Sequence, residues 1–124
     1  MADSLTGIRI VIAEDHNDTR DFIEQALCHL GGTVAAVATA REALDVVAAA
    51  DILVTDLSLP DEDGVWLLEQ VNQLPRAIPV IAVSGFAEVD VPRFLQAAFA
   101  WKLVKPVDPW QLADVILEVV RGIT

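Results

Sequence analysis

A chain of 124 residues is long enough to bury one real core and too short for a second fold, and its 54% hydrophobic and 22% charged residues place it among globular chains. The net charge of −11 repels polyanions and leaves no basic patch, so no direct nucleic-acid partner is expected. No apolar run is long enough to cross a bilayer, the opening MADSLTGIRIVIAED has nothing like a secretory signal, and the single Cys28 cannot close an internal disulfide, so the expectation is a cytoplasmic protein without membrane attachment.

In chain order, Ile8 to Ala13 (IRIVIA) reads as a first strand. A helix follows with Phe22, Ile23, Ala26, Leu27 and Leu30 on one stripe, Asn17 or Asp18 as its cap, and Gly31-Gly32 as its stop. Thr33 to Val37 is a second strand. Thr39-Ala40-Arg41-Glu42 is a capping box opening a helix that buries Ala43, Leu44, Val47 and Ala48. Ile52 to Thr55 is a third strand, and after Gly64 a third helix offers Val65, Leu67, Leu68 and Val71. Val80 to Val83 is a fourth strand, followed by a helix from about Val91 to Ala98 behind Asp90 as cap, then Leu103-Val104 as the fifth strand. The last helix starts at Asp108-Pro109-Trp110-Gln111, with Asp108 as cap, Pro109 in the first turn and Gln111 completing the box. Its core stripe is Leu112, Val115, Ile116 and Val119. A second stripe, Trp110, Ala113, Leu117 and Val120, lies about 120° round and is either a contact surface or covered by the fourth helix.

Strands apolar on both faces, alternating with helices, imply a doubly wound α/β domain of flavodoxin-like type: a five-stranded parallel sheet with five helices, one domain over 1–124 with its core at about 8–121. In such folds chemistry gathers at the carboxyl ends of the strands. There the sequence places Glu14-Asp15, Asp56, Ser84-Gly85 and Lys105-Pro106. Three carboxylates brought together repel one another, and Mg2+, or Mn2+ in its place, is the natural remedy. Lys105 can pair with a carboxylate or phosphoryl oxygen, and Ser84 can donate to another. There is no thiol or imidazole nucleophile with a partnering base and no glycine-rich phosphate loop, which leaves a carboxylate nucleophile for phosphoryl transfer.

The set Glu14-Asp15, Asp56 with Leu-Ser-Leu-Pro60 and Asp63-Gly64, Ser84-Gly85, and Lys105-Pro106 resembles the receiver domain of two-component response regulators of the chemotaxis-regulator type, over about Ile8 to Val120. The resemblance implies that Asp56 accepts a phosphoryl group from a histidine kinase or histidine phosphotransfer protein. It implies that Asp15, Asp56 and the main-chain carbonyl of Ser58 bind magnesium, with Glu14 acting through a coordinated water. Ser84 would follow the phosphoryl group, Lys105 would bridge to it, and Ser58 and Phe86 would line the attack path. The fourth helix, fifth strand and fifth helix would then signal to a downstream protein or pair in a homodimer. Such a domain is not an enzyme beyond assisting its own phosphorylation and dephosphorylation.

One departure concerns the switch aromatic, which in the family precedes the lysine by three residues; here Lys102 stands there, beside Trp101. Either Trp101 serves through a local shift or switching does not use an aromatic rotamer. Two other readings stay open: a receiver-like binding module that signals without phosphorylation, and an aspartyl-phosphate phosphatase, against which Ser58 stands where a general acid is expected. Of the other singled-out residues, His16 reads as a solvated loop residue, His29 as a surface residue, Cys28 as a small apolar filler, and Asp61, Glu62 and Asp63 as solvated turn acids.

Overall fold

The computed structural model describes residues 4–88 and 90–122. The ends of the expected 1–124 domain and Val89 lie outside the described residues. The apolar runs form β1 (Arg9–Ala13), β2 (Thr33–Val37), β3 (Ile52–Asp56), β4 (Val80–Ser84) and β5 (Trp101–Val104). They pair in parallel in the order β2-β1-β3-β4-β5, so the order reverses between β1 and β3. At that reversal the loops leaving the two strands diverge and open a crevice.

Parallel strands need helical crossovers. These are α1 (Asn17–His29), α2 (Ala40–Val47), α3 (Gly64–Val71), α4 (Pro92–Gln96) and α5 (Pro109–Arg121). Strand alternation splits the core into two layers. On one face Ile10, Ile12, Ile52, Val54, Ile81 and Val83 pack with α1 and α5. On the other, Val11, Leu53 and Val80 pack with α2 and α3. Both faces of β3 and β4 are buried, which is why those strands read as continuous apolar runs.

Several local expectations change. The first helix is capped by His16, whose Nδ1 accepts from the Thr19 amide at 3.2 Å, so Asn17 and Asp18 lie inside the helix and His16 is no free loop residue. Ile23 and Leu27 face inward while Phe22 is 59% exposed, because the stripe is narrower than its apolar residues suggest. Cys28 is exposed rather than a filler. The capping box of α2 forms as expected and Ala43 and Val47 are buried, but Ala48 is exposed. The fourth helix is only five residues long: Val91 occupies its N-cap, no side chain caps it, and Ala97 is already extended. β5 begins at Trp101 rather than Leu103.

The acids of the loop after β3 keep contact with solvent, as expected, but each is also tied to a neighbouring element. Asp61 accepts from the Ala40 and Arg41 amides, each at 3.0 Å, and so sits on the N-terminus of α2. Burial acts upward, but these backbone donors together outweigh it and hold its carboxyl below the usual range. Glu62 pairs with Arg41 at 3.0 Å. Asp63 caps α3 through the Trp66 amide at 2.8 Å and pairs with Arg93 at 2.9 Å. Gly64 is required by close approach: a Cβ there would lie 2.7 Å from the Asp56 carbonyl oxygen and 3.1 Å from Leu57 Cα.

On α5, Asp108 caps through the Trp110 amide at 2.9 Å. The second apolar stripe is largely interior. Ala113 and Leu117 join Ile23 and Leu27 of α1 in one cluster, so α1 covers them, and only Trp110 remains broadly exposed.

Candidate functional site

The parallel register decides which side chains meet. Ala13 pairs with Thr55, which sets Glu14 level with Asp56, and Ser84 pairs with Val104, which sets Gly85 level with Lys105. Glu14, Asp15 and Asp56 each bring a carboxylate oxygen within 4.8 Å of the others. Glu14 and Asp56 are buried, at 5% and 4% exposure, whereas Asp15 is open to solvent. Lys105 Nζ lies 3.0 Å from each Asp56 oxygen and 3.7 Å from Glu14 Oε1. These residues line an open cleft of about 880 Å³ with Phe22 and Phe86 among its walls.

One ammonium does not neutralise three acids. Burial, then the hydrogen bond with Glu14, pushes the Asp56 carboxyl up to about 8 against the pull of Lys105. For Glu14, burial acts upward but is outweighed by hydrogen bonds from Asp56 and the His16 amide (3.0 Å) and by the charge of Lys105, which leave it below the usual range. Lys105 is partly desolvated, yet its contact with Asp56 holds it above the usual ammonium value. Without a cation, burial and the neighbouring Glu14 carboxylate therefore favour the protonated form of Asp56. A hard divalent cation with a preference for oxygen ligands fits this set, because it compensates the charge that Lys105 leaves over.

The site's frame includes two residues that the sequence did not single out. Arg20 reaches back from α1 to donate to the Glu14 carbonyl at 2.9 Å and to Asn17 Oδ1 at 2.6 Å, which clasps the β1–α1 loop around the acids. Glu88 accepts from the Gly85 amide at 2.7 Å and from the Ser58 hydroxyl, joining the loops after β3 and β4. Neither belongs to a motif; only the position of Arg20 one turn into a helix that begins beside the acids could have drawn notice.

Ser84 stands apart. It is the last residue of β4, and its hydroxyl makes a long bond of 3.4 Å to the Leu103 carbonyl. It lines a small cavity of about 130 Å³ on the α4 side together with Phe94, Phe99 and Lys102, not the acidic cleft. Lys102 shares that face and donates to the Leu95 carbonyl at 3.0 Å. Trp101 pairs with Ile81 and packs on the α1 and α5 side. The ladder thus carries no local shift that would bring Trp101 to the Ser84 face.

The response regulator receiver domain family matches residues 10–117. An uncharacterised 14.6 kDa protein of Leptolyngbya boryana is 33% identical over 118 residues, 91% of this chain and 90% of that protein. The DNA-binding transcriptional regulator NtrC of Escherichia coli is 32% identical over 101 residues; the match takes in 78% of this chain but only 21% of NtrC. Among solved structures, the receiver domain of the sensor histidine kinase PA1611 of Pseudomonas aeruginosa is 25% identical with a TM-score of 0.83, covering 94% of this chain and 99% of that one, and it holds a magnesium ion in its active-site cleft. Receiver domains are signalling domains of two-component systems, served by histidine kinases and read by downstream effectors. By its family match, its strand order and the acids gathered at its strand ends, this chain belongs to the response regulator receiver domain family.

Proposed function

We propose that Asp56 is the phosphoacceptor of a two-component system. One of its oxygens attacks the phosphorus of a phosphohistidine on a histidine kinase or histidine phosphotransfer protein. The O–P bond forms as the P–N bond breaks, and the electron pair leaves with the imidazole. Only an ionised carboxylate can attack, so a proton on Asp56 must first leave. The observation that supports this reading best is Asp56 itself: a buried carboxylate, held at the end of a central strand by Lys105, facing an open cleft.

Glu14, Asp15 and Asp56, with the backbone carbonyl of Ser58, are the residues that would hold Mg2+, for which Mn2+ could substitute. Such an ion supplies charge neutralisation at the carboxylates and the transferred group. Lys105 adds a fixed positive charge beside the acceptor oxygen, and Ser84 offers a hydroxyl that can turn from the α4-side cavity toward the phosphoryl group. The output face in this reading is α4, β5 and α5, where Leu95, Val104 and Trp110 are exposed to a protein target or a second copy. The domain works in the cytoplasm, where its kinase would meet it, and turns over no substrate other than its own phosphoryl group.

Acetyl phosphate or beryllofluoride with Mg2+ tests the proposal. Intact-mass and NMR measurements are expected to show modification at Asp56 and none in Asp56→Asn. No modification of the native chain would favour a module that signals without phosphorylation, and rapid hydrolysis of unrelated phosphate esters would favour a phosphatase.

A further inference from the structure

Glu88 does something at the rim of the site that neither the acids nor Lys105 explain. It stands in the loop between β4 and α4, half-buried, and its two carboxylate oxygens are used separately. Oε1 accepts from the Gly85 amide at 2.7 Å, and Oε2 accepts from the Ser58 hydroxyl. Ser58 is two residues beyond Asp56, in the loop that leaves β3. Gly85 is two residues beyond Val83, the partner of Asp56 in the neighbouring strand. Both donors therefore lie just past the ends of the two neighbouring strands that carry Asp56 and Val83. The charge of Glu88 is also felt by Lys105, the ammonium that holds Asp56.

The same residue begins the path to α4. Its amide donates to the Gly85 carbonyl at 3.1 Å, and its carbonyl accepts from the amide of Val91, the N-cap of α4, at 3.1 Å. Its side chain also lines the α4-side cavity that contains Ser84, Phe94 and Lys102. Glu88 thus belongs to a turn hydrogen-bonded to the N-cap of α4.

We propose that Glu88 is a latch: an internal anion that occupies, in the unmodified domain, the Gly85 amide and Ser58 hydroxyl that a phosphoryl group on Asp56 would take, so that phosphorylation expels Glu88 and shifts the loop leading into α4. The inference rests on the phosphoacceptor reading of Asp56. Its physical basis is competition between two anions for the same donors, with like-charge repulsion between them. It gives this chain a route from the site to α4 that needs no aromatic rotamer, in keeping with Lys102 at the switch position. Glu88 is a positioning residue, touching the donors rather than the reacting atoms.

The test compares the full chain with Glu88→Gln and Glu88→Ala, using beryllofluoride with Mg2+ as the probe and amide NMR as the readout. Loss of one charge-assisted hydrogen-bond pair predicts about tenfold tighter beryllofluoride binding by Glu88→Ala, with Glu88→Gln in between. The Gly85 amide resonance and those of the loop before α4 in probe-free Glu88→Ala are expected to move toward their positions in the probe-bound native chain. A general loss of structure would lower affinity and scatter resonances, not move them along that line, and that result overturns the latch. Equal affinity in all three proteins with unmoved Gly85 also overturns it, while leaving the phosphoacceptor reading intact. Failure of the native chain to bind beryllofluoride at all removes both readings, and Asp56→Asn serves as the non-binding control.

Discussion

The carboxylates of Glu14 and Asp56 lie within 4.8 Å of each other at the ends of two adjacent parallel strands, both buried, with the ammonium of Lys105 in contact with both. Two acids in that position favour one proton over two charges, and the consequence is measurable as stability. The Asp56 carboxyl is raised from an ordinary 3.8 to about 8, so between those values the folded domain keeps a proton that the unfolded chain has lost. Stability of the cation-free domain is therefore expected to fall as pH rises from about 4 to about 8. Asp56→Asn removes the ionisation. At about pH 9 it is expected to be more stable than the native chain by about 1–4 kcal/mol, with the gap closing toward about pH 5 and on adding Mg2+. Urea titrations at the two pH values check this, and an Asn variant less stable than the native chain at the higher pH would contradict it.

Gly64 supports the acceptor from below. Its amide donates to the Leu57 carbonyl at 2.8 Å, and the space a Cβ would need is taken by backbone atoms of Asp56 and Leu57, which cannot swing aside as a side chain could. Gly64→Ala is expected to cost about 1–3 kcal/mol of folding stability, the usual scale for overpacking. Because the strain falls on the peptide carrying Asp56, beryllofluoride affinity is expected to drop as well, measured under conditions where the variant is fully folded. Gly85→Ala is the contrast: its Cβ would meet only Glu88 Oε1, at an ordinary 3.6 Å, so its stability cost is expected to be small.

These two glycines show what the residues alone could and could not tell. The motif around Gly64 was legible, but its reason, a helix N-terminus pressed against the strand end, exists only once α3 has packed. The sheet was readable because β3 and β4 are apolar on both faces, and the site because Glu14, Asp15, Asp56 and Lys105 each close or follow a strand, where parallel register brings strand ends together. What escaped were contacts between loops far apart in sequence. Asp61 on the N-terminus of α2, Asp63 with Arg93, and Glu88 with Ser58 have no periodicity to announce them. The fourth helix was overestimated for a related reason. Its residues have helical spacing, but none is buried, so nothing extends the helix past Gln96.

Arg20 is expected to control how well the acids are held. Its guanidinium fixes the Glu14 carbonyl at 2.9 Å and reaches the Asp15 carbonyl at 3.4 Å, so the loop that aims both carboxylates is fastened from α1. Arg20→Ala is expected to weaken Mg2+ binding by about tenfold, the lower end for loss of a partner that orients a ligand. Arg20→Lys, which keeps the charge but not the fork, is expected to recover little of it. Titration of Mg2+ followed by tryptophan fluorescence, alongside urea melts, separates loss of affinity from loss of fold. Unchanged Mg2+ affinity in Arg20→Ala would remove Arg20 from this role.

Lys102 occupies the place where the family usually has an aromatic, and its ammonium is expected to hold the short α4. Its ammonium donates to the Leu95 carbonyl in the last turn of a helix five residues long, one with no buried residue and no side-chain cap at its start. A positive charge at a helix C-terminus contributes typically about 0.3–1 kcal/mol, which matters for a helix that cannot persist by propensity alone. Lys102→Ala is therefore expected to speed amide hydrogen exchange across Pro92–Gln96 and leave the amides of β4 and α5 nearly unchanged. Lys102→Phe separates the tether from the missing aromatic. It is expected to lose the same α4 protection while filling the cavity beside Ser84, in which case holding α4 is a property of the ammonium and not of side-chain bulk. Slower exchange in Lys102→Phe than in the native chain would show the opposite, that packing against Phe94 and Phe99 holds α4 and the hydrogen bond to Leu95 is incidental.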